Sequence, residues 1–246
     1  MAPTVAVVGG GYGGASVAKA LDDVADVVLI EPRDAFAHNV AALRAAVDPD
    51  WAERIFIPYD GLLRCGTVRR DRAVLVRPGT VELASGASVT ADYVVLATGS
   101  AHRYPAKIDV LDSAAAADKL RGTHRALDAS SGVLLLGAGP VGLEFAGEIK
   151  AAWPDKPVTI VDPRPDLAFG RFPREFGAEL AAQLADLGVT LLLGTSLPGR
   201  PPTAPASSAP SPRRRSPVPS SAPTSGSPAT ARPLPSTTWP QTCCPR

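Results

Sequence analysis

Only three cysteines, three histidines and one methionine occur in the 246 residues, and aromatic residues make up 5% of them. Cys65 stands alone and Cys243 and Cys244 are adjacent. That arrangement fits neither a disulfide framework nor a zinc site, so no metal is expected and a reducing compartment, the cytoplasm, is the expected location. No apolar run reaches the ~20 residues that cross a bilayer. Met1-Ala-Pro-Thr4 leads straight into an apolar run without a basic leader, and Ala2 stands where myristoylation requires a glycine. Membrane contact is therefore expected to be peripheral at most. Acidic residues are missing altogether after Asp186, where six arginines (Arg200, Arg213, Arg214, Arg215, Arg232 and Arg246) remain. The 24 acids and the other 19 of the 25 basic residues leave the body with a net charge of −5.

What is present starts at Val5-Ala-Val-Val8, an apolar run that breaks into Gly9-Gly-Gly-Tyr-Gly-Gly14 and then opens into Ala15-Ser-Val-Ala-Lys-Ala-Leu21. The run reads as a buried parallel strand, Gly9-x-Gly11-x-x-Gly14 as a turn, and the alanine-rich stretch as a helix whose N-terminus points at whatever fills the turn. A pyrophosphate suits that place. Gly9 permits the tight turn, Gly11 lets the backbone approach phosphates, and Gly14 lets the helix pack close to the strand. Asp26-Val-Val-Leu-Ile30 reads as the second strand, and Glu31 at its carboxyl end stands where an acid accepts ribose hydroxyls. A glycine turn with no ligand is the plainer alternative.

Val40 to Val47 is compatible with a helix, with Asn39 as its N-cap and Pro49 after it. His38 has no visible partner and is read as ordinary polar packing. Residues 72–83 suggest a hairpin or meander around Pro78-Gly79, and Asp92 to Ala97 a buried strand ending on Thr98-Gly99-Ser100. That small-residue ending is either a plain turn or a close approach to a ligand. Ala114 to Leu120 reads as a short helix. Then the opening pattern repeats. Gly132 to Leu136 is a strand, Gly137-x-Gly139-x-x-Gly142 a second turn, the segment to Lys150 a helix, and Lys156 to Val161 a strand closing on Asp162. Two such units argue for two nucleotides. Asp162 favours the free 2′-hydroxyl of NADH, while Arg164 could meet the 2′-phosphate of NADPH, so the choice stays open.

Glu144 and Glu148 lie one helical turn apart, where like charges oppose each other by a few tenths of a kcal/mol. They are either two solvated carboxylates or part of a site. Gly147, poor helix material, implies tight packing beside Glu148. Residues 172–187 form an amphipathic helix that stops at Gly188, and Val189 to Leu193 a further strand. Beyond that the composition turns to Pro, Ser, Ala, Thr and Arg, which cannot bury enough apolar surface to offset ordering. The resulting expectation is an α/β protein of two nested Rossmann-type units, a FAD-type unit over 1–113 and an incomplete NAD(P)H-type unit over 114–195, then a disordered tail over 196–246. The tail reads either as a basic arm or, given its sudden loss of acids and periodicity, as sequence outside its proper reading frame. Six spread arginines are a thin electrostatic footprint, and nucleic acid is not expected as a partner.

Residues 1 to about 195 resemble the FAD-dependent pyridine nucleotide oxidoreductases, in particular the apoptosis-inducing-factor-like group that includes the ferroptosis suppressor proteins. Phe36-Ala-His-Asn-Val-Ala-Ala-Leu-Arg-Ala45 and Trp51-Ala-Glu-Arg-Ile-Phe-Ile-Pro-Tyr59 carry this resemblance more specifically than the glycines do. It implies that Gly9, Gly10, Gly11 and Gly14 hold the FAD pyrophosphate, Glu31 the adenosine ribose, Arg44 the flavin nucleotide, and Ala97, Thr98 and Gly99 the FAD again. It places NAD(P)H on Gly137, Gly139 and Gly142, with Glu148 as the catalytic glutamate beside nicotinamide and flavin, and it matches Lys107 to a lysine of the family. The implied reaction is hydride transfer from NADH or NADPH to the flavin and onward to a small-molecule acceptor such as a quinone. A disulfide reductase would need a cysteine pair at the flavin, and none is in reach. The family's later Gly-Asp FAD element and its C-terminal domain are not recognisable, so the alternative is an inactive fragment that keeps dinucleotide-binding motifs without turnover.

Overall fold

The first apolar run folds as β1 (Thr4–Val8) and passes through the glycine turn into α1 (Tyr12–Leu21) and β2 (Asp26–Ile30). β3 (Ala35–Ala37), a 3₁₀ turn (Asn39–Ala41), α2 (Ala42–Val47), α3 (Trp51–Arg54) and β4 (Phe56–Pro58) follow. Next come β5 (Thr67–Arg69), β6 (Ala73–Arg77), β7 (Thr80–Leu83), β8 (Ser88–Thr90) and β9 (Tyr93–Leu96). The second half holds α4 (Ser113–Ala129), β10 (Val133–Leu136), α5 (Pro140–Ala152), β11 (Val158–Asp162), α6 (Arg174–Asp186) and β12 (Val189–Leu193). This computed structural model describes residues 1–167 and 172–197, so the expected tail lies, from 198 on, outside the described residues.

β1 is central in a parallel sheet of order β5-β2-β1-β9, with Val8 opposite Ile30 on one side and Leu96 on the other. Alternation along the strands gives the sheet two apolar faces. Val5, Val7, Val27 and Leu29 pack in one core with Ala18 of α1. Ala6, Val8 and Ile30 pack in another with Val81, Leu83 and Val89 of the antiparallel β6–β8 meander. The second sheet, β10-β11-β12, is parallel too and repeats the geometry, with Leu136 opposite Val161. Val158, Ile160 and Val189 from this sheet share a core with Ala146 and Ile149 of α5, Leu184 of α6 and, from the first unit, Leu43, Ala45 and Ala46 of α2. The two units are nested through that shared core. Counting back from the glycines, Leu134 and Leu136 correspond to Ala6 and Val8. Ala6 and Val8 are 0% and 6% exposed under the meander, whereas Leu134 and Leu136 are 51% and 56% exposed.

Several expectations need correction. The short helix at 114 runs on to Ala129, because Leu120 is fully buried in the shared core and His124 contacts the Val47 carbonyl at 2.9 Å. Packing there outweighs the weak propensities of Gly122 and Thr123. Its start is capped by Asp112, which accepts from the Ala115 N–H at 2.9 Å. Asn39 does not cap a helix: its side chain accepts from the Ile108 N–H at 2.9 Å and donates to the Ala37 carbonyl at 3.2 Å. Of the hairpin and the meander expected around Pro78-Gly79, the structure forms the meander, with β8 as its third strand. Gly147 is not tightly packed, since a Cβ there would have no atom within 4 Å. Cys65 is disulfide-bonded rather than unpaired. Its backbone N–H lies on Asp22 at the C-terminal end of α1, remote from the glycine turn at the other end. Asp22, Asp23 and Cys65 do bring ligand-type atoms within 4.8 Å of one another, yet the sulfur is already bonded and Asp22 is committed to backbone N–H groups.

At Gly14 a Cβ would overlap the Gly9 carbonyl oxygen. Gly14→Ala is expected to cost about 1–3 kcal/mol or more in urea unfolding. Gly147→Ala, mid-helix with open space, should gain about 0.5–1 kcal/mol. Asp22 is buried, which works against its charge, but the N–H groups of Arg64, Gly66 and Cys65 outweigh burial and hold its carboxyl below the usual range. A lowered folded-state value means that its stabilisation is present above the unfolded value of about 3.9 and is lost as pH falls through the folded value. Asp22→Asn should therefore destabilise at neutral pH, with the difference from the parent shrinking below about pH 4.

Candidate dinucleotide-binding site

The first glycine turn opens into a cavity of about 340 Å³ at the carboxyl ends of β1, β2 and β9. Gly9, Gly10, Gly11, Glu31, Ala97, Thr98, Gly99 and Lys107 all line it. Gly9 sits at φ +101°, and a Cβ on it would come within 2.5 Å of the Ala97 carbonyl oxygen, so the end of β9 lies directly against the turn. Gly14 lies behind the wall, against the Gly9 carbonyl. Gly11 precedes α1 in extended conformation with no side-chain cap on the first turn of the helix, and the space a Cβ would take beside it is open. An uncapped helix start with unspent N–H groups facing a cavity is the donor set an anion requires.

Glu31 holds the turn from the other side. The Gly10 N–H donates to one of its carboxylate oxygens at 2.7 Å and the Arg33 N–H to the other at 3.0 Å. The second unit repeats this atom for atom: Ala138 N–H donates to Asp162 at 2.7 Å and Arg164 N–H to its other oxygen at 2.8 Å. Gly9 N–H donates to the Ile30 carbonyl at 2.9 Å, and Gly137 N–H to that of Val161 at 2.8 Å. Gly137 sits at φ +115°, Gly139 precedes α5 with no side-chain cap, and a Cβ on Gly142 would overlap the Gly137 carbonyl oxygen. The repeat read from the glycines is a repeat of hydrogen bonds.

The remaining sequence-derived residues fall in two places. Lys107 reaches across the cavity mouth to Ser100, donating to its carbonyl at 2.5 Å and to its hydroxyl at 2.9 Å. Arg44 is not among the cavity-lining residues. It forms an ion pair with Glu148 of α5, through Nε to one oxygen and a terminal nitrogen to the other at 3.0 Å. Glu144 makes no hydrogen bond or ion pair among the described residues. Desolvation and then the charge of Glu148 raise its pKa. Other lining residues were given no site role by the sequence, Tyr59, Arg33, Asn39 and Tyr12 among them. Tyr59 donates from its hydroxyl to the Gly10 carbonyl at 2.8 Å, and burial, then the Glu31 charge, push its pKa up. Arg33 donates to the carbonyls of Val110 and Ile108 at 3.0 and 2.9 Å, tying the loop after β9 to the cavity. Asn39 holds the same loop, and Tyr12 accepts from the Val40 N–H at 3.1 Å and bonds His38 at 3.0 Å. The second residue after each strand-terminal acid, Arg33 and Arg164, was a usable signal; Tyr59 had none.

Residues 3–199 match the pyridine nucleotide-disulphide oxidoreductase family. The chain is 37% identical over 168 residues to ferroptosis suppressor protein 1 of Taeniopygia guttata, covering 67% of this chain and 45% of that protein. It is 33% identical over 159 residues to apoptosis-inducing factor homolog B of Dictyostelium discoideum, covering 64% of this chain and 41% of that one. Among solved structures it superposes on NDH2 from Plasmodium falciparum in complex with NADH at a TM-score of 0.59 and 17% identity, over 78% of this chain and 48% of that one. The chain thus spans about half the length of the relatives it matches. No helix among the described residues is long and apolar enough to cross a membrane.

The clamping carboxylates can be tested without any ligand. Glu31→Gln and Asp162→Asn each keep the shape but weaken two charge-assisted hydrogen bonds, and each should cost about 1–3 kcal/mol in urea unfolding. Glu144→Gln, which loses no bond, should leave the midpoint within about 0.5 kcal/mol of the parent.

Proposed function

The chain belongs to the pyridine nucleotide-disulphide oxidoreductase family, and from that membership we propose that it is a FAD-dependent NAD(P)H oxidoreductase that passes electrons to a small-molecule acceptor of the quinone type. The cofactors are FAD and NADH or NADPH. The observation that carries the reading is the first turn, where an uncapped helix start, a buried acid and the Ala97-Thr98-Gly99 end of β9 converge on one cavity. In this reading residues 1–113 are the FAD-binding unit and 114–195 the NAD(P)H-binding unit.

The residues fit the group. N–H groups around Gly11 would hold the pyrophosphate, and the helix dipole would add to their pull. Glu31, with one N–H on each oxygen, keeps acceptor capacity for the adenosine ribose. Thr98, Gly99 and Lys107 border the far side of the cavity, and Lys107 offers a positive charge near Ser100. Gly137, Gly139 and Gly142 present the same N–H array for the second dinucleotide, with Asp162 in the place of Glu31. A carboxylate there favours the ribose 2′-hydroxyl of NADH over a 2′-phosphate. Bound flavin supplies the hydride acceptor, and the protein supplies alignment and electrostatics. Arg44 and Glu148 stand where the two units meet, on α2 and α5. The acceptor class rests on the group the chain resembles, and contact with a membrane, where quinones dissolve, would be peripheral.

The test is the visible spectrum of the purified chain after addition of FAD, gel filtration and then NADH under argon. A retained flavin band that bleaches on NADH, and recovers on adding a short-chain quinone, supports the whole reading. Bleaching without recovery keeps the oxidoreductase and removes the quinone. A chain that retains no FAD leaves the rival, a fold that keeps the motifs without turnover.

A further inference from the structure

The first glycine turn is held at one more point than the second. Gly10 is buried between two side chains: its N–H donates to Glu31 at 2.7 Å, and its carbonyl accepts from the Tyr59 hydroxyl at 2.8 Å. A Cβ on Gly10 would come within 2.5 Å of that hydroxyl oxygen and 3.0 Å of the Glu31 side chain, so the tyrosine sits in space that only glycine leaves open. In the second unit the same position is Ala138. Its N–H meets Asp162 at 2.7 Å, but no side chain among the described residues donates to its carbonyl. The tyrosine contact and the extra glycine go together.

A trans peptide is planar, with its carbonyl and its N–H on opposite sides. The carbonyl of Gly10 and the N–H of Gly11 belong to one such peptide. With the carbonyl drawn onto Tyr59, the Gly11 N–H is aimed the other way, and it has no partner among the described residues. Gly10, Gly11 and Tyr59 all line the cavity of the first turn. Tyr59 is buried, and burial followed by the Glu31 charge raises the pKa of its hydroxyl, which therefore keeps its proton and stays a donor. Three glycines in a row leave this peptide little steric restraint of its own. Without a hold on the carbonyl it can turn over and present oxygen to the cavity, where an anion is repelled.

We propose that Tyr59 is a positioning residue that presets the Gly10–Gly11 peptide, so that the Gly11 N–H is ready for the pyrophosphate of the first dinucleotide. This rests on the oxidoreductase reading for the identity of the ligand but not for the state of the peptide. Ordering the turn in advance removes that cost from binding. The second turn, with alanine in place of the middle glycine, does without the lock.

The experiment compares the full chain with Tyr59→Phe, which removes the hydroxyl and keeps the ring, and with Val27→Ala, which opens space in the same core away from the turn. In the ligand-free, isotope-labelled protein, amide relaxation gives the order parameter of Gly11, expected at about 0.85 in the parent and below about 0.6 in Tyr59→Phe, with that of Gly139 unchanged. FAD affinity, read by flavin fluorescence, is expected to fall about tenfold in Tyr59→Phe, the equivalent of about 1.4 kcal/mol, while riboflavin, which carries no phosphate, changes less than about twofold. Val27→Ala should lose at least as much urea stability, yet keep the Gly11 order parameter and hold FAD affinity within about twofold. Equal losses of FAD and riboflavin, or a Val27→Ala variant that loses FAD as Tyr59→Phe does, would overturn the proposal and leave Tyr59 a core side chain. A Gly11 amide equally ordered in the parent and in Tyr59→Phe would overturn it as well. A parent chain that takes up no FAD defeats the oxidoreductase reading alone, and the order parameters then decide between a lock and ordinary packing.

Discussion

A buried carboxylate at the end of the second strand of each unit is the constraint on which the molecule depends. Glu31 and Asp162 are each 7% exposed. A charge so placed is costly unless it is met by donors. Here each is met by two N–H groups, one from the residue after the first glycine of the turn and one from two residues down its own chain. The first of those bonds ties the start of the helix to the end of the neighbouring strand. Strand, turn, helix and strand are thereby fixed at one point, and the remaining backbone donors of the turn stay turned outward. What looks like a ligand-binding acid is also the keystone of its own turn.

The nested architecture follows from how the two units share surface. The first sheet is covered on both sides by residues of its own unit, with α1 on one face and the meander on the other. The α2 and α3 segment between β3 and β4 has no such cover of its own. It packs instead into the core built by α4, α5 and β11, so the first unit contributes Leu43, Val47 and Ile55 to the interior of its neighbour. Alignment of the two units is therefore a matter of side-chain packing and of the ion pairs Arg44–Glu148 and Arg121–Glu53. The second sheet has an open face among the described residues, with Leu134, Leu136 and Leu192 between 45% and 56% exposed.

Much of this was legible in the sequence, for a physical reason. Glycine turns, strand-terminal acids and apolar runs are local patterns, and local geometry decides them. The strands at Val5, Asp26, Asp92, Lys156 and Val189 and the helices after both turns fall within a few residues of where the pattern puts them. What failed was whatever depended on partners far along the chain. The length of α4 depends on Leu120 and His124 meeting the first unit. Asn39 has the chemistry of a cap but is drawn away by Ile108, 69 residues on. Gly147 was read as a close contact when its surroundings are open. Tyr59 and the Arg44–Glu148 pair could not be found by spacing, because each joins residues with no periodic relation.

Gly14 and Gly11 belong to one motif yet are constrained by different things. Any residue but glycine at 14, or at its counterpart 142, begins with a carbon that has nowhere to go, ligand or no ligand. At 11 the backbone angle of −72° is open to every residue and the space is free. In a saturation library sorted only for folded protein, position 14 would be depleted of all alternatives while position 11 would tolerate them. The same library sorted for retained FAD would deplete both. Subtracting one map from the other would separate the glycines the fold demands from those kept for the nucleotide, a distinction that the motif, written as a string of letters, conceals.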